Sequence, residues 1–198
     1  MSLTKARLCT ALLALSAWAA PALAADPLLT LVATPDPVHQ GQGVDVSVMV
    51  SNVSDLYGYN FSLSFDASLL QAASFTEGSF LSAGGSTYFD VVGFDNTAGM
   101  ISFVYGGIGT PGAGVSGSGT LATLHFNAIG TGTSALNFIA ADTTLVNSSI
   151  DPSNSTITAT LVNNTLAVAA PVPEPAHYMM LLAGLAGIAA WRRRQSAI

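Results

Sequence analysis

Cysteine is almost absent from this chain, which has only Cys9 among its 198 residues. Cys9 lies close to the N-terminus, and the residues before it, Ala6-Arg7-Leu8, do not form the lipobox of a lipoprotein. The chain after Cys9 therefore has no means to form disulfides, to use a thiol nucleophile or to bind zinc through cysteine.

Lysine and arginine are also scarce: the chain has five, and none lies between Arg7 and Arg192. All eleven acidic residues, from Asp26 to Glu174, fall between those two positions. Because phosphate groups are neutralised by Lys and Arg, this region is not expected to bind nucleic acid, anionic lipid or a polyanionic sugar. Its acidity favours solubility, neutral partners or divalent cations.

Helical periodicity is missing from the middle of the chain, which instead alternates with period two. Valine alternates with other residues in Val44–Ser51, and Tyr59–Phe65 places Tyr59, Phe61, Leu63 and Phe65 on one side. This pattern predicts strands with one buried face. Asn52–Gly58 is predicted to be a loop and Asp66–Gln71 a single helical turn. Further short strands are predicted at Leu28–Ala33, Ala72–Phe75, Thr87–Phe94, Met100–Tyr105, Thr120–Ala128, Ala135–Ile139, Thr156–Leu161 and Thr165–Val168. The sequence thus predicts an all-β protein, an antiparallel β-sandwich or jelly roll of about nine strands.

The N-terminus has the three parts of a secretory signal peptide. Lys5 and Arg7 form a basic region, Ala11–Ala20 is apolar, and Ala22-Leu23-Ala24 is an A-x-A cleavage site. We therefore expect residues 1–24 to be removed by signal peptidase, so that the mature chain begins at Ala25.

The C-terminus has a second three-part pattern. Pro173, Glu174 and Pro175 precede an uncharged apolar stretch, Ala176–Trp191, and Arg192, Arg193 and Arg194 follow it. As a helix the stretch is roughly 24 Å long, which is short of the ~30 Å hydrocarbon core of a bilayer but within what local thinning can absorb. We expect a single transmembrane helix with the three arginines as a cytoplasmic stop, so that the rest of the chain lies outside.

The order Pro-Glu-Pro, apolar helix, arginine cluster resembles the PEP-CTERM sorting signal of Gram-negative bacteria. In that family an exosortase in the inner membrane cleaves near the Pro-Glu-Pro motif and releases the protein to the cell surface or the extracellular matrix. The resemblance implies transient anchoring in the inner membrane followed by release. The alternative is a permanent single-pass anchor.

Two central stretches, 41–70 and 119–130, resemble a cohesin domain, whose fold is close to that of some carbohydrate-binding modules. The first contains the strand pair described above followed by Asp66-Ala-Ser-Leu-Leu70, and the second contains Gly119-Thr-Leu121. This resemblance implies one β-sandwich domain at residues 25–169. The C-terminal pattern then assigns 170–175 to a linker with the Pro-Glu-Pro motif and 176–198 to the helix and basic stop. In cellulosomes such domains hold dockerin modules, but this chain contains neither a dockerin nor a catalytic module.

Motifs for catalysis and metal binding are weak. Gly107–Gly112 matches G-x-G-x-x-G, but Pro111 and further glycines exclude the helix that a dinucleotide site needs. There is no G-x-S-x-G elbow, and His39 and His125 form no pattern with a serine, so we predict no catalytic residues and no enzyme activity. We also predict no metal-ligand set and no cofactor. Acidic loops would suit Ca²⁺, although the chain has no D-x-D-x-D-G loop.

Two further groups of side chains are candidate binding residues. Five aromatic residues could form a sugar-binding face, but strand alternation predicts that most of them lie in the core: Tyr57, Tyr59, Tyr88, Phe89 and Tyr105. Five asparagines begin N-x-S/T sequons, which predict turn and edge residues, with surface glycosylation as the alternative: Asn52, Asn60, Asn147, Asn154 and Asn163.

The sequence therefore favours a secreted, non-catalytic protein that binds a protein or polysaccharide at the cell surface or in the extracellular matrix. The alternatives are a stand-alone carbohydrate-binding module linked to polysaccharide metabolism and, less favoured, a glycan hydrolase with a hidden carboxylate pair.

Overall fold

The computed structural model of the protein describes residues 25–171 and 175–195. In order along the chain, these residues form twelve strands and one α-helix: β1 Leu28–Thr34, β2 Val38–His39, β3 Gly43–Ser64, β4 Leu70–Glu77, β5 Thr87–Asp95, β6 Met100–Ile108, β7 Val115–Ala128, β8 Gly132–Phe138, β9 Thr144–Asn147, β10 Thr156–Ile157, β11 Thr160–Val162, β12 Asn164–Ala169 and α1 Pro175–Gln195. Short 3₁₀ turns cover Leu81–Gly84 and Ala140–Asp142. The predicted signal peptide, including Ala22 and Ala24, and Pro173 and Glu174 lie outside the described residues.

Strand β3 is long enough to take part in both layers of a β-sandwich. Its first part pairs with β1 on one side and β7 on the other, in the sheet order β4-β7-β3-β1-β11. Its last part pairs with β6 on one side and with β9 and β8 on the other. The second layer therefore runs from β5 through β6 and β3 to β9-β10 and to β8-β12-β2.

The core lies between the two layers and is formed by the alternating apolar side chains of β3 and its neighbours. Every residue predicted to face inward on the two alternating stretches is at most 7% exposed: Val44, Val46, Val48, Val50, Tyr59, Phe61, Leu63 and Phe65. The Tyr59 hydroxyl donates a hydrogen bond to the Leu121 carbonyl at 2.7 Å, and burial raises the pKa of this phenol. The predicted inward faces are confirmed.

The predicted β-sandwich is confirmed, but two details of the prediction are wrong. The sheet has twelve strands rather than about nine, because the short strands β2 and β9 were missed and Thr156–Leu161 is divided between β10 and β11. It is also not wholly antiparallel, since β1 pairs with β11 and β2 with β12 in parallel. These parallel pairs join segments far apart in sequence. They therefore could not be predicted from turn residues between neighbouring strands.

The predicted loop at Asn52–Gly58 is also wrong, because β3 continues through it. Asn52 and Asp55 adopt positive φ angles of 56° and 58°, and the register with β7 shifts around them. The serine hydroxyls of β7 satisfy the displaced backbone: the Asn52 N–H donates to Ser118 at 3.1 Å and the Asp55 N–H to Ser116 at 2.9 Å. Asn and Asp tolerate this conformation better than other non-glycine residues, so the strand bends from one layer into the other without breaking.

The C-terminal stretch is helical, as predicted, but the expected transmembrane span is not supported. Among the described residues, no helix combines the length and apolar character needed to cross a membrane. Helix α1 has 21 residues, and its last turn contains Arg192, Arg193, Arg194 and Gln195. The uncharged part from Ala176 to Trp191 is roughly 24 Å long, which is shorter than the hydrocarbon core of ~30 Å.

Candidate functional site

The outer surface of β5 and β6 carries a group of exposed aromatic and aliphatic side chains. We call this surface the aromatic face and define it by Tyr88, Asp90 and Val92 of β5 with Phe103 and Tyr105 of β6. Tyr88 is 52% exposed, Val92 69% and Phe103 45%. Antiparallel register places Asp90 directly opposite Tyr105. Exposed apolar side chains in one group are typical of surfaces that bind a partner.

Small residues keep the aromatic face flat on its β3 side. Gly107 lies opposite Tyr88 on one side and Gly58 on the other. A Cβ atom at Gly107 would lie 2.5 Å from the Tyr88 hydroxyl oxygen, so the tyrosine ring lies over the glycine. The Tyr88 and Tyr105 ring centroids are 6.5 Å apart with planes at 52°. Two accessible rings beside a flat strip can accept the apolar surface of a protein side chain or the face of a sugar.

Asp90 gives the aromatic face its one charged group. The Tyr105 hydroxyl donates a hydrogen bond to the Asp90 carboxylate at 3.4 Å, and the negative charge of Asp90 raises the pKa of this tyrosine. The carboxylate also accepts the N–H of Val91 at 2.8 Å. The face is therefore amphipathic, with aromatic contact area around an anionic hydrogen-bond acceptor.

A β-bulge explains why Phe103 is exposed. Its φ angle is 48°, and the register between β3 and β6 shifts between Phe61 and Leu63. The Phe103 N–H donates to the hydroxyl of Ser62 at 3.0 Å, and Ser62 is fully buried. A positive φ at a bulky residue costs energy, so the buried hydroxyl maintains a conformation that brings the ring to the surface.

An acidic side chain fastens the loops beyond the aromatic face. Asp55 accepts the Gly114 N–H at 2.6 Å, and its other oxygen accepts the Ser148 hydroxyl at 2.7 Å and the Ser148 N–H at 3.2 Å. These hydrogen bonds, above all the one from the Ser148 hydroxyl, lower the pKa of Asp55. A cleft of about 390 Å³ lies beside this carboxylate, and it is lined by Tyr57, Pro111, Gly112, Asn147, Ser148, Ser149 and Ile150.

The opposite surface of the sandwich contains a histidine–aspartate pair. His125 Nδ1 lies 2.5 Å from Asp45 Oδ1, and both side chains are partly exposed. Ser74 is opposite His125 in register, but among the described residues no hydrogen bond joins its hydroxyl to the ring. The pair lies on an open strand surface, so the structure does not assemble a nucleophile, a base and a substrate pocket there. Across all the residues that the structure describes, no three His, Cys, Asp or Glu side chains cluster as metal ligands.

The aromatic side chains weighed in the sequence fall into two groups. Tyr59 is buried, Tyr57 is partly buried against the core, and Phe89 packs against Phe75 with ring centroids 5.5 Å apart. Tyr88 and Tyr105 instead lie on the outer surface with Phe103, which the sequence pattern did not indicate as a binding residue. Apart from Asp90, the outward positions Tyr88 and Val92 of β5 are as apolar as the inward positions Phe89 and Val91, so alternation alone does not separate the two sides.

The asparagine sequons are mostly used as backbone hydrogen-bonding groups. Asn60 donates to the Asp142 carbonyl at 2.7 Å, Asn147 to the Asn154 carbonyl at 2.8 Å, and Asn163 accepts the Phe138 N–H at 3.0 Å. Of the residues predicted for processing, Ala25 begins the described domain, and Pro175 and Arg192–Arg194 belong to α1.

Two family models match the chain, and together they cover most of it. The model of the cohesin domain matches residues 30–168, and that of the PEP-CTERM protein-sorting motif matches residues 171–194. No curated protein matches the chain.

Solved structures with the same fold are cohesins of low sequence identity. The second type II cohesin module of the adaptor ScaA scaffoldin from Acetivibrio cellulolyticus is 15% identical, with a TM-score of 0.61 over 77% of this chain and 95% of that one. A non-cellulosomal cohesin from Archaeoglobus fulgidus is 19% identical, with a TM-score of 0.56 over 78% and 98%. A type II cohesin–X-dockerin complex from Acetivibrio cellulolyticus is 14% identical, with a TM-score of 0.57 over 72% and 99%. Because the cohesin model matches residues 30–168, which is more than half of this chain, the chain belongs to the cohesin family, and it carries a PEP-CTERM sorting motif at residues 171–194.

Proposed function

We propose that the chain is an exported surface protein whose cohesin domain binds a protein partner through the aromatic face, without catalysis. The observation that carries the proposal is the exposure of Tyr88, Val92 and Phe103 together on one strand pair. Exposed aromatic residues surrounding a polar group are typical of energetically important protein contacts. The dockerin complex of the similar cohesin supports a folded protein module as the partner class.

The PEP-CTERM motif supports a route to the cell surface. In this proposal signal peptidase removes residues 1–24, and an exosortase acts near Pro173, Glu174 and Pro175. The released domain then reaches the surface or the extracellular matrix of a Gram-negative bacterium. Substituting Pro173 and Glu174 with alanine should keep the protein in the membrane fraction of its host, whereas normal release of that variant would contradict the sorting proposal.

A neutral polysaccharide is the second candidate ligand. The paired rings of Tyr88 and Tyr105 favour it, since their geometry offers a stacking surface for a sugar ring. The absence of Lys and Arg between Arg7 and Arg192 favours neutral over anionic glycans.

The two candidates are separated by one pair of binding assays on the mature protein purified from its host. Pull-down from the extracellular fraction of that host tests for a protein, and binding to a panel of neutral glycans tests for a sugar. The double variant Phe103→Ala/Tyr105→Ala should lose the ligand in whichever assay is positive. Ile129→Ala is a matched control, because Ile129 and Phe103 are both 45% exposed and Ile129 lies outside the aromatic face.

A further inference from the structure

The outer edge of β5 is open. Strand β5 pairs with β6 along its full length, and among the described residues no strand pairs with its other edge. An edge strand presents alternate N–H and C=O groups to solvent and can receive a strand from another chain. At nine residues, β5 is long for such an edge.

Two hydrogen bonds fix which residues of β5 turn their backbone outward. The Ser86 carbonyl accepts the Gly109 N–H at 2.7 Å, which places the even-numbered positions in the hydrogen-bonded set with β6. Val91 lies outside that set, and its N–H donates to the Asp90 carboxylate at 2.8 Å. By the alternation of an antiparallel ladder, Phe89, Val91 and Gly93 direct their backbone groups to the open edge.

The edge of the neighbouring strand β4 is capped at one residue by a side chain. The Ala72 N–H donates to the Asn96 side chain at 2.8 Å and the Ala72 carbonyl accepts from the same amide at 3.0 Å. Asn96 thus satisfies both backbone groups of Ala72. Strand β5 contains no Lys and no Pro, the residues that commonly protect an edge, and its register with β6 is regular. Of the backbone N–H groups at the open edge of β5, only that of Val91 has a side-chain acceptor, the Asp90 carboxylate.

Charge selects the kind of chain that this edge can receive. Asp90 and Asp95 belong to β5, and the whole region between Arg7 and Arg192 has no cation. A second copy of this domain would bring further aspartates and no Lys or Arg to this edge, and this like charge disfavours self-pairing. A basic segment would bring Lys or Arg beside Asp90, and this would free the Val91 N–H for a backbone acceptor.

We propose that the open edge of β5 accepts an extended, basic segment of a partner protein as an added strand. Its backbone pairs with Phe89, Val91 and Gly93, and its Lys or Arg side chains lie beside Asp90. This goes beyond the proposed function, because the recognition rests on backbone pairing at an edge and not on side-chain contact with the aromatic face.

The probe is a synthetic peptide of about nine residues, the length of β5, that alternates Lys and Thr. Titrated against the mature protein, it should bind with one-to-one stoichiometry and more weakly as salt is raised. Two peptides are controls. One carries N-methyl groups on every second amide, placed so that the methylated amides would face β5. It should bind at least about tenfold more weakly, because it cannot pair. The other has Glu in place of Lys and should not bind.

Substitutions in β5 itself test the same backbone pairing on the protein. Val91→Pro and Gly93→Pro each remove one outward N–H, and the space around a Cβ at Gly93 is open, so this second variant is expected to fold. Both should weaken peptide binding about tenfold, whereas Val91→Thr, which keeps the N–H, should not. Equal binding of the N-methylated peptide, or wild-type affinity in both folded proline variants, would overturn the proposal. So would a dimer of the peptide-free protein that Val91→Pro dissociates.

The aromatic-face variant separates this proposal from the proposed function. Phe103→Ala/Tyr105→Ala changes side chains of β6 and leaves the β5 backbone intact, so it should bind the peptide normally. Loss of the natural ligand with retained peptide binding would support both sites. If the variant still binds both the natural ligand and the peptide, the proposal for the aromatic face is contradicted and the proposal for the β5 edge is not.

Discussion

Single residues hold this sandwich together where the backbone departs from regular geometry, and Asp55 shows this most clearly. Its carboxylate accepts three hydrogen bonds from the Gly114 and Ser148 loops, and its pKa is lowered. A folded-state pKa below the unfolded value means that the stabilisation is present above about pH 4 and is lost as pH falls through the folded value. Asp55→Asn should lower the free energy of unfolding at pH 7 by about 1–3 kcal/mol and should flatten its decrease in acid.

Urea unfolding of wild type and variant at pH 7 and pH 3 measures both effects. Asp26→Asn is the control, because Asp26 lies at the exposed start of the described chain. Wild-type stability in Asp55→Asn at pH 7 would show that these hydrogen bonds contribute nothing.

A single substitution at Phe103 should change ligand binding without changing stability. Phe103→Gly removes an exposed ring and relieves a positive φ angle, while glycine adds entropy to the unfolded chain. The free energy of unfolding should therefore stay within about 1 kcal/mol of wild type, and ligand affinity should fall. Paired denaturation and titration measurements test this, and a large loss of stability would contradict the bulge as described.

The elements most dependent on tertiary contacts are those that the sequence predicted least well. The valine alternation of Val44–Val50 is local, and it predicted both the strand and its buried side. Asn52, Ser54 and Asp55 have the composition of a loop, and only the serines of β7 and the loops held by Asp55 keep β3 continuous there. Strand β9 has one buried side chain, Leu145, and so gives no pattern. The exposure of Phe103 follows from a bulge with Ser62 of another strand, which no local pattern reveals.

The crossing of β3 between layers gives a prediction at the scale of the element. A Cβ at Gly114 would lie 2.5 Å from the backbone carbonyl of Asp55, so Gly114→Ala must push the loop off the bend of β3. We expect a loss of about 1–3 kcal/mol in stability. Gly93→Ala is the matched control, since nothing lies within 4 Å of its added Cβ. Thermal unfolding of both variants tests the comparison, and equal midpoints would contradict close packing at the crossing.

The distribution of charge is a property of the whole molecule and gives a direct test of its processing. Lys and Arg occur only at Lys5, Arg7 and Arg192–Arg194, so a chain cut at the two proposed positions, after Ala24 and near Pro173, would have no trypsin site. Denatured mature protein from the host should pass through trypsin treatment without a change in intact mass. Release of a short C-terminal peptide at Arg192–Arg194 would show that the C-terminal segment is retained.

Calorimetric titration of the mature protein with the ligand recovered from its host tests most directly whether the aromatic face is the binding surface. The account predicts that Phe103→Ala/Tyr105→Ala weakens the affinity at least about tenfold while Ile129→Ala leaves it unchanged. Equal affinities of the folded double variant and the wild type would contradict it.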